Sequence, residues 1–264
     1  MKHITIKSSL MRIVAVMLLI SGTASASAQY YMNVVQKNGE KIQYLVSNID
    51  SVYFSGQKGS AVNYEYVDLG LSVKWATFNV GATKPEEYGD YYAWGETETK
   101  TDYSWFTYKW CNGSNATLTK YCSIDNVGNE CFTDTLTVLA PEDDVAHVKW
   151  GGSWRMPTKA EQDDLHNKCA WTWYDSGNTE FNGVAGYKVT SKIEGYTDRS
   201  IFLPAPGYRY GTNFDAVANG GHYWSSSLDT GYPIQAYFLY FDSEVVDWSC
   251  NFRLIGYSVR PVCP

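Results

Sequence analysis

Trp150-Gly151-Gly152-Ser153-Trp154-Arg155-Met156-Pro157-Thr158 is the stretch on which the fold turns, because it ends where a helix begins. Thr158 can accept from the first turn and Glu161 stands three residues on, a capping box ahead of Leu165. Pro157 keeps the residue before it out of helical geometry, and Lys168 places positive charge near the far end. A second helix is expected from Pro141-Glu142-Asp143-Asp144, whose acidic groups suit a helix amino end, with Val145, Ala146 and Val148 beyond. Around these, strand-like runs at residues 73–78, 187–190, 200–203, 236–241 and 258–262 are separated by long Gly- and Asn-rich connections. Few helices, many short strands and long loops predict an α+β domain.

The amino end reads differently. Lys2, Lys7 and Arg12 precede an apolar run at residues 13–20, and Ala26-Ser27-Ala28 precedes Gln29, the pattern of a secretory signal over residues 1–28. That run is far shorter than the roughly 20 residues of a membrane span, so no transmembrane anchor is expected. The first cysteine is Cys111, far from the cleavage site, which argues against a lipid anchor there. The expected location is outside the cytoplasm: periplasm, cell surface or medium.

Residues 29–55 read as a small β-module. Apolar and polar positions alternate on both sides of Asn38-Gly39, a hairpin signal, and Ile49-Asp50-Ser51-Val52-Tyr53-Phe54 offers a third short strand. The polar, glycine-bearing residues 56–63 read as a linker, and residues 64–264 are long enough for one domain with a sizeable core.

Composition narrows the partners. The net charge of −7 becomes −10 once the three basic signal residues are removed, leaving 18 basic against 28 acidic residues. That sign argues against nucleic acid and anionic lipid. The 22 Tyr and 10 Trp suit both a loop-rich core and a binding surface. Six cysteines (Cys111, Cys122, Cys131, Cys169, Cys250, Cys263) in an exported chain favour disulfides, with 15 possible pairings. No Cys-x-x-Cys pair occurs and the four histidines are scattered, so neither zinc nor another cofactor is expected.

Three blocks in order carry a resemblance: the opening stretch, Tyr223-Trp224-Ser225-Ser226-Ser227, and Gly256-Tyr257-Ser258-Val259-Arg260-Pro261-Val262. Further matches are the run from Tyr66 to Ala76, Trp94-Gly95-Glu96, and Phe202-Leu203-Pro204-Ala205-Pro206-Gly207-Tyr208-Arg209. Together they resemble the Fibrobacter/Bacteroides-type major paralogous domain. That resemblance implies a C-type-lectin-like fold related to formylglycine-generating enzymes, with short twisted sheets, two helices and long loops. The terminal segment looks like the variable region of retroelement-diversified members. There the changeable positions would map to Tyr232, Phe238, Tyr240, Asp242, Asp247, Ser249, Asn251, Phe252 and Leu254, with Arg253 and Arg260 in fixed scaffold positions.

The candidate sites follow. Arg155-Met156-Pro157-Thr158-Lys159-Ala160-Glu161 resembles a formylglycine-enzyme motif, but that chemistry needs a cysteine pair five residues apart, and Cys250 and Cys263 stand 13 apart. Capping alone accounts for the motif. Glu142, Asp143, Asp144, Asp163 and Asp164 could supply oxygen ligands to calcium, or simply favour helix starts. The sugar-binding Glu-Pro-Asn and Trp-Asn-Asp signatures are absent. In Ala236-Tyr237-Phe238-Leu239-Tyr240-Phe241-Asp242, strand alternation puts Phe238, Tyr240 and Asp242 on one face. If that face is open, it joins Tyr232, Asp247, Trp248, Asn251 and Phe252 in a ligand-binding patch; the alternative is that both faces are covered. The expectation is a non-catalytic, exported binding protein for a protein or glycan ligand. The alternatives are an enzyme of the formylglycine-related branch and a cell-envelope structural subunit.

Overall fold

The computed structural model describes Tyr64–Pro264 throughout, and before it four strands: β1 (Thr5–Lys7), β2 (Tyr31–Val35), β3 (Lys41–Leu45) and β4 (Tyr53–Ser55). The chain divides into two units, Met1–Asn63 and Tyr64–Pro264. In the first, β2 and β3 pair antiparallel from Tyr31↔Leu45 to Val35↔Lys41, and β1 pairs with β4 in parallel. The expected cleavage site, the Asn38-Gly39 turn and the linker lie outside the described residues.

The second unit is α+β. It holds a sheet of β5 (Tyr66–Val67), β6 (Lys74–Ala76) and β15 (Val262–Cys263) in the order β15-β6-β5. A second sheet is β7 (Cys169–Tyr174), β8 (Gly186–Ser191) and β9 (Ser200–Pro204). A ribbon joins β10 (Tyr208–Tyr210) to β11 (Asn213–Asp215). The third sheet is β12 (Gly221–Leu228), β13 (Gln235–Phe241) and β14 (Val246–Phe252), in that order. All these pairings are antiparallel.

Two helices complete the unit. In α1 (Val145–Trp150) Asp144 is the cap, accepting from the His147 N–H at 3.1 Å, after a single 3-10 turn at Pro141–Asp143. In α2 (Lys159–Lys168) the expected capping box is present: Thr158 accepts from the Glu161 N–H, and Glu161 Oε2 accepts from the Thr158 N–H at 2.8 Å.

The third sheet runs between two apolar cores and serves both. One face contributes Trp224 and Phe238 to a core with Trp94, Tyr121, Val145, Met156 and Tyr257. The other contributes Tyr223, Leu239 and Phe241 to a core with Leu165 of α2, Val189 and Leu203. Gly221 is required here, since a Cβ at that position would lie 2.0 Å from the Phe241 ring.

Candidate functional site

Register decides which side chains meet. The Arg253 N–H donates to Ile234 O at 3.1 Å and the Asp242 N–H to Val245 O at 3.0 Å, so the odd-numbered residues of β14 turn their backbone groups toward β13. Side chains then fall into rows across the sheet. On one face stand His222–Tyr240–Asp247 and Trp224–Phe238–Ser249, with Ala236 opposite Asn251; on the other stand Tyr223–Leu239–Trp248 and Tyr237–Cys250.

The expected patch is therefore divided. Tyr240, Asp247 and Asn251 share one face, with Asp242 just beyond β13 on the same alternation. Trp248 is on the opposite face, 44 % exposed, with its ring 5.6 Å from Tyr237 and Lys159 Nζ 3.8 Å over it. Tyr232 is 68 % exposed in the connection between β12 and β13. Phe252 is half-buried with its ring 6.0 Å from that of Trp105. Phe238 needs a correction: it is 5 % exposed, because the loops carrying Tyr257 and Leu254 close over its face of the sheet. It is a core residue and not a contact residue.

What remains on that face is an aromatic cluster in which the half-buried Tyr208 and Tyr240 pack against buried rings. The His222 imidazole is surrounded by the rings of Tyr208 at 4.9 Å, Tyr257 at 5.1 Å, Tyr240 at 5.3 Å and Phe238 at 5.8 Å. The Tyr240 hydroxyl donates to Asp242 Oδ2 at 2.7 Å, and Asn251 Nδ2 donates to the Tyr257 hydroxyl at 2.9 Å. The bond to Asp242 pushes the Tyr240 hydroxyl up to about 12 and holds the Asp242 carboxyl below its usual range. Burial pushes the His222 imidazole down to about 4, so it is neutral at physiological pH. Asp247 Oδ1 accepts from the Trp248 N–H and Asn251 Oδ1 from the Phe252 N–H, both at 2.8 Å, which occupies two outward donors of the β14 edge. Sequence reasoning missed His222, Tyr208 and Tyr257. Alternation of His222 with Trp224 along residues 221–228 was the available signal for the first.

The motifs that suggested catalysis or metal are absorbed by the scaffold. Arg155 pairs with Glu161 through two bonds, Nη1 to Oε2 at 2.7 Å and Nη2 to Oε1 at 2.5 Å. Asp143 accepts from the Tyr121 hydroxyl at 2.7 Å and from Lys120 Nζ at 2.6 Å, while Asp144 accepts from the Met156 N–H. Asp163 and Asp164 pair with Lys159 and Lys168, and Glu142 lies 3.5 Å from Lys120. No group of three or more potential ligands able to hold a metal ion occurs among the described residues. The six cysteines are unpaired in the structure, and Cys250 and Cys263 belong to different sheets. Arg253 and Arg260 are fully buried and bond inside the fold. No described helix is long and apolar enough to cross a membrane. Neither a family model, nor a curated protein, nor a solved structure matches this chain.

Proposed function

We propose that this chain is an exported binding protein of the major paralogous domain type. Its C-type-lectin-like domain presents the Tyr240–Asp242–Asp247–Asn251 face, with Tyr232 and Phe252 at its margins, to a protein or glycan ligand outside the cytoplasm. The reading rests on one observation above the others: the half-buried Tyr240 ring and the carboxylates of Asp242 and Asp247, which form no ion pair among the described residues, share one face of the third sheet. Arg155, Glu161, Asp143 and Asp144, the groups that the sequence offered for catalysis or metal, are meanwhile tied into caps and ion pairs. Aromatic bodies with polar tips are what contact surfaces use.

A glycan and protein array probed with the mature chain tests this against a Tyr240→Ala, Asp247→Ala double variant. A specific signal that disappears in the variant is expected. A ligand bound equally by both proteins would place the binding surface elsewhere.

A further inference from the structure

We propose that a cavity on the outer face of the second sheet binds a neutral sugar ring, a terminal hexose of a glycan, at a site separate from the Tyr240 face. Tyr187, Val189, Ile201 and Leu203 belong to the second core, so alternation turns Lys188, Ser200 and Phe202 of β8 and β9 outward. Over them the connection from β7 to β8 lays Phe181, whose ring stacks on that of Phe202 with centroids 3.7 Å apart. Val67 of β5 and Pro85 add to the lining of a cavity of about 190 Å³ that is partly open to solvent.

Size and rigidity set the first limit. A cavity of about 150 Å³ takes one benzene ring, so this one takes a single six-membered ring with its substituents. The wall that receives it is already held in place. Asn178 Oδ1 accepts from the Phe181 N–H at 2.7 Å, while Asn178 Nδ2 donates to the carbonyls of Asp175 and Val184. The Tyr174 ring meets Phe181 edge-on at 5.0 Å, and Asn182 Nδ2 donates to Glu86 Oε1, tying this loop to the segment that carries Pro85. A small ligand entering a preformed wall loses little to ordering the protein.

Charge sets the second limit. Lys188 Nζ donates to Glu180 Oε1 at 2.6 Å and the Tyr174 hydroxyl donates to Glu180 Oε2 at 2.7 Å, so the two charges lining the cavity cancel. An anionic ligand would face Glu180, and a cationic one Lys188. What stays unspent is hydrogen-bonding capacity. Lys188 has two further N–H donors, and the half-buried Ser200 hydroxyl has no partner among the described residues. A purely apolar ring, such as a phenylalanine side chain, would cover these groups and leave them unpaired. A hexose sets its C–H face against the aromatic wall and offers hydroxyls to Lys188 and Ser200.

The full mature chain, labelled with nitrogen-15, is titrated with the methyl α-pyranosides of glucose, galactose and mannose, and with p-cresol as an apolar ring. At least one hexoside is expected to move the Phe181 and Ser200 amide resonances saturably. Ser200→Ala should weaken that hexoside about threefold to tenfold, the loss of one neutral hydrogen bond, and Phe181→Ala should abolish its binding. If Phe181→Ala does not fold, Ser200→Ala and the amide shifts of the unsubstituted protein decide. The Tyr240→Ala, Asp247→Ala double variant should bind the hexoside as the wild type does, which separates failure of this site from failure of the face on the third sheet. Silence toward all three hexosides, a response to p-cresol alone, or unchanged affinity in Ser200→Ala would each overturn the site. Hexoside binding lost in the double variant would also overturn it and place the sugar on the Tyr240 face.

Discussion

His222 and Phe238 stack 5.8 Å apart on neighbouring strands, and each has a consequence that burial alone fixes. For His222, burial lowers the pKa from 6.5 to about 4. In the window between those values the unfolded chain takes up a proton that the native state refuses. Stability therefore falls as pH drops from about 6.5 to about 4, and this residue adds nothing further below that. The contribution lost is on the order of 3 kcal/mol. Urea unfolding of the wild type and His222→Phe at pH 7, 6 and 5 checks it. Asp242 loses stabilisation at lower pH as well, through the Tyr240 hydroxyl, but it does so in both proteins, so their difference isolates the imidazole. Equal slopes in the two proteins would mean the ring is protonated in the folded state. For Phe238, truncation to Ala empties part of a packed core and should cost about 3–5 kcal/mol. Tyr240→Ala removes a half-buried ring and should cost clearly less in the same urea titration.

At the scale of elements, α2 stands on Glu161, which serves twice. Its Oε2 receives the Thr158 N–H in the capping box, and the same carboxylate pairs with Arg155. Thr158→Ala removes one half of the box and should destabilise the protein by about 1 kcal/mol. Glu161→Ala removes both functions and should cost more, whereas Glu161→Gln keeps the box and loses only the ion pair, falling between them. Thermal unfolding of the three variants gives the order; Glu161→Gln at or beyond Glu161→Ala would show that the ion pair alone matters. This helix was legible in the sequence because a capping box is written within four residues. The alternation of residues 236–241 was equally legible, and the faces of β13 follow it. Exposure was not legible, since it depends on Tyr257 arriving from a later loop, with its ring 4.7 Å from that of Phe238. The grouping of Trp248 with Asp247 failed for a related reason. Neighbours on one strand point to opposite faces, and only the cross-strand register shows which of them joins Tyr240. Strand β7 escaped notice because Cys169-Ala170-Trp171-Thr172-Trp173-Tyr174 follows the helix with no turn residue between them.

Across the whole molecule, long loops are held by buried side chains, and the six cysteines are unpaired in the structure. Two buried guanidiniums do what disulfides would otherwise do. Arg253 donates to the Tyr108 hydroxyl and to the carbonyls of Lys120, Tyr121 and Pro233. Arg260 donates to Asn79 Oδ1 and to the carbonyls of Ala76, Thr77 and Phe202. Each thus ties together segments that are remote in the chain, and neither has a carboxylate partner. A planar donor fork can satisfy several carbonyls at fixed angles, which lysine cannot reproduce. Reductant should therefore leave the unfolding midpoint of the folded protein unchanged. Arg260→Lys should lower stability by about 3 kcal/mol, because carbonyls buried around the fork lose their donors. Thiol labelling supplies the complement: Cys131 is exposed and should react first, while Cys169, buried and pushed up to about 11, should react only on unfolding. A midpoint that drops with reductant, together with fewer than six reactive thiols in the denatured chain, would show that disulfides and not the arginines hold the loops.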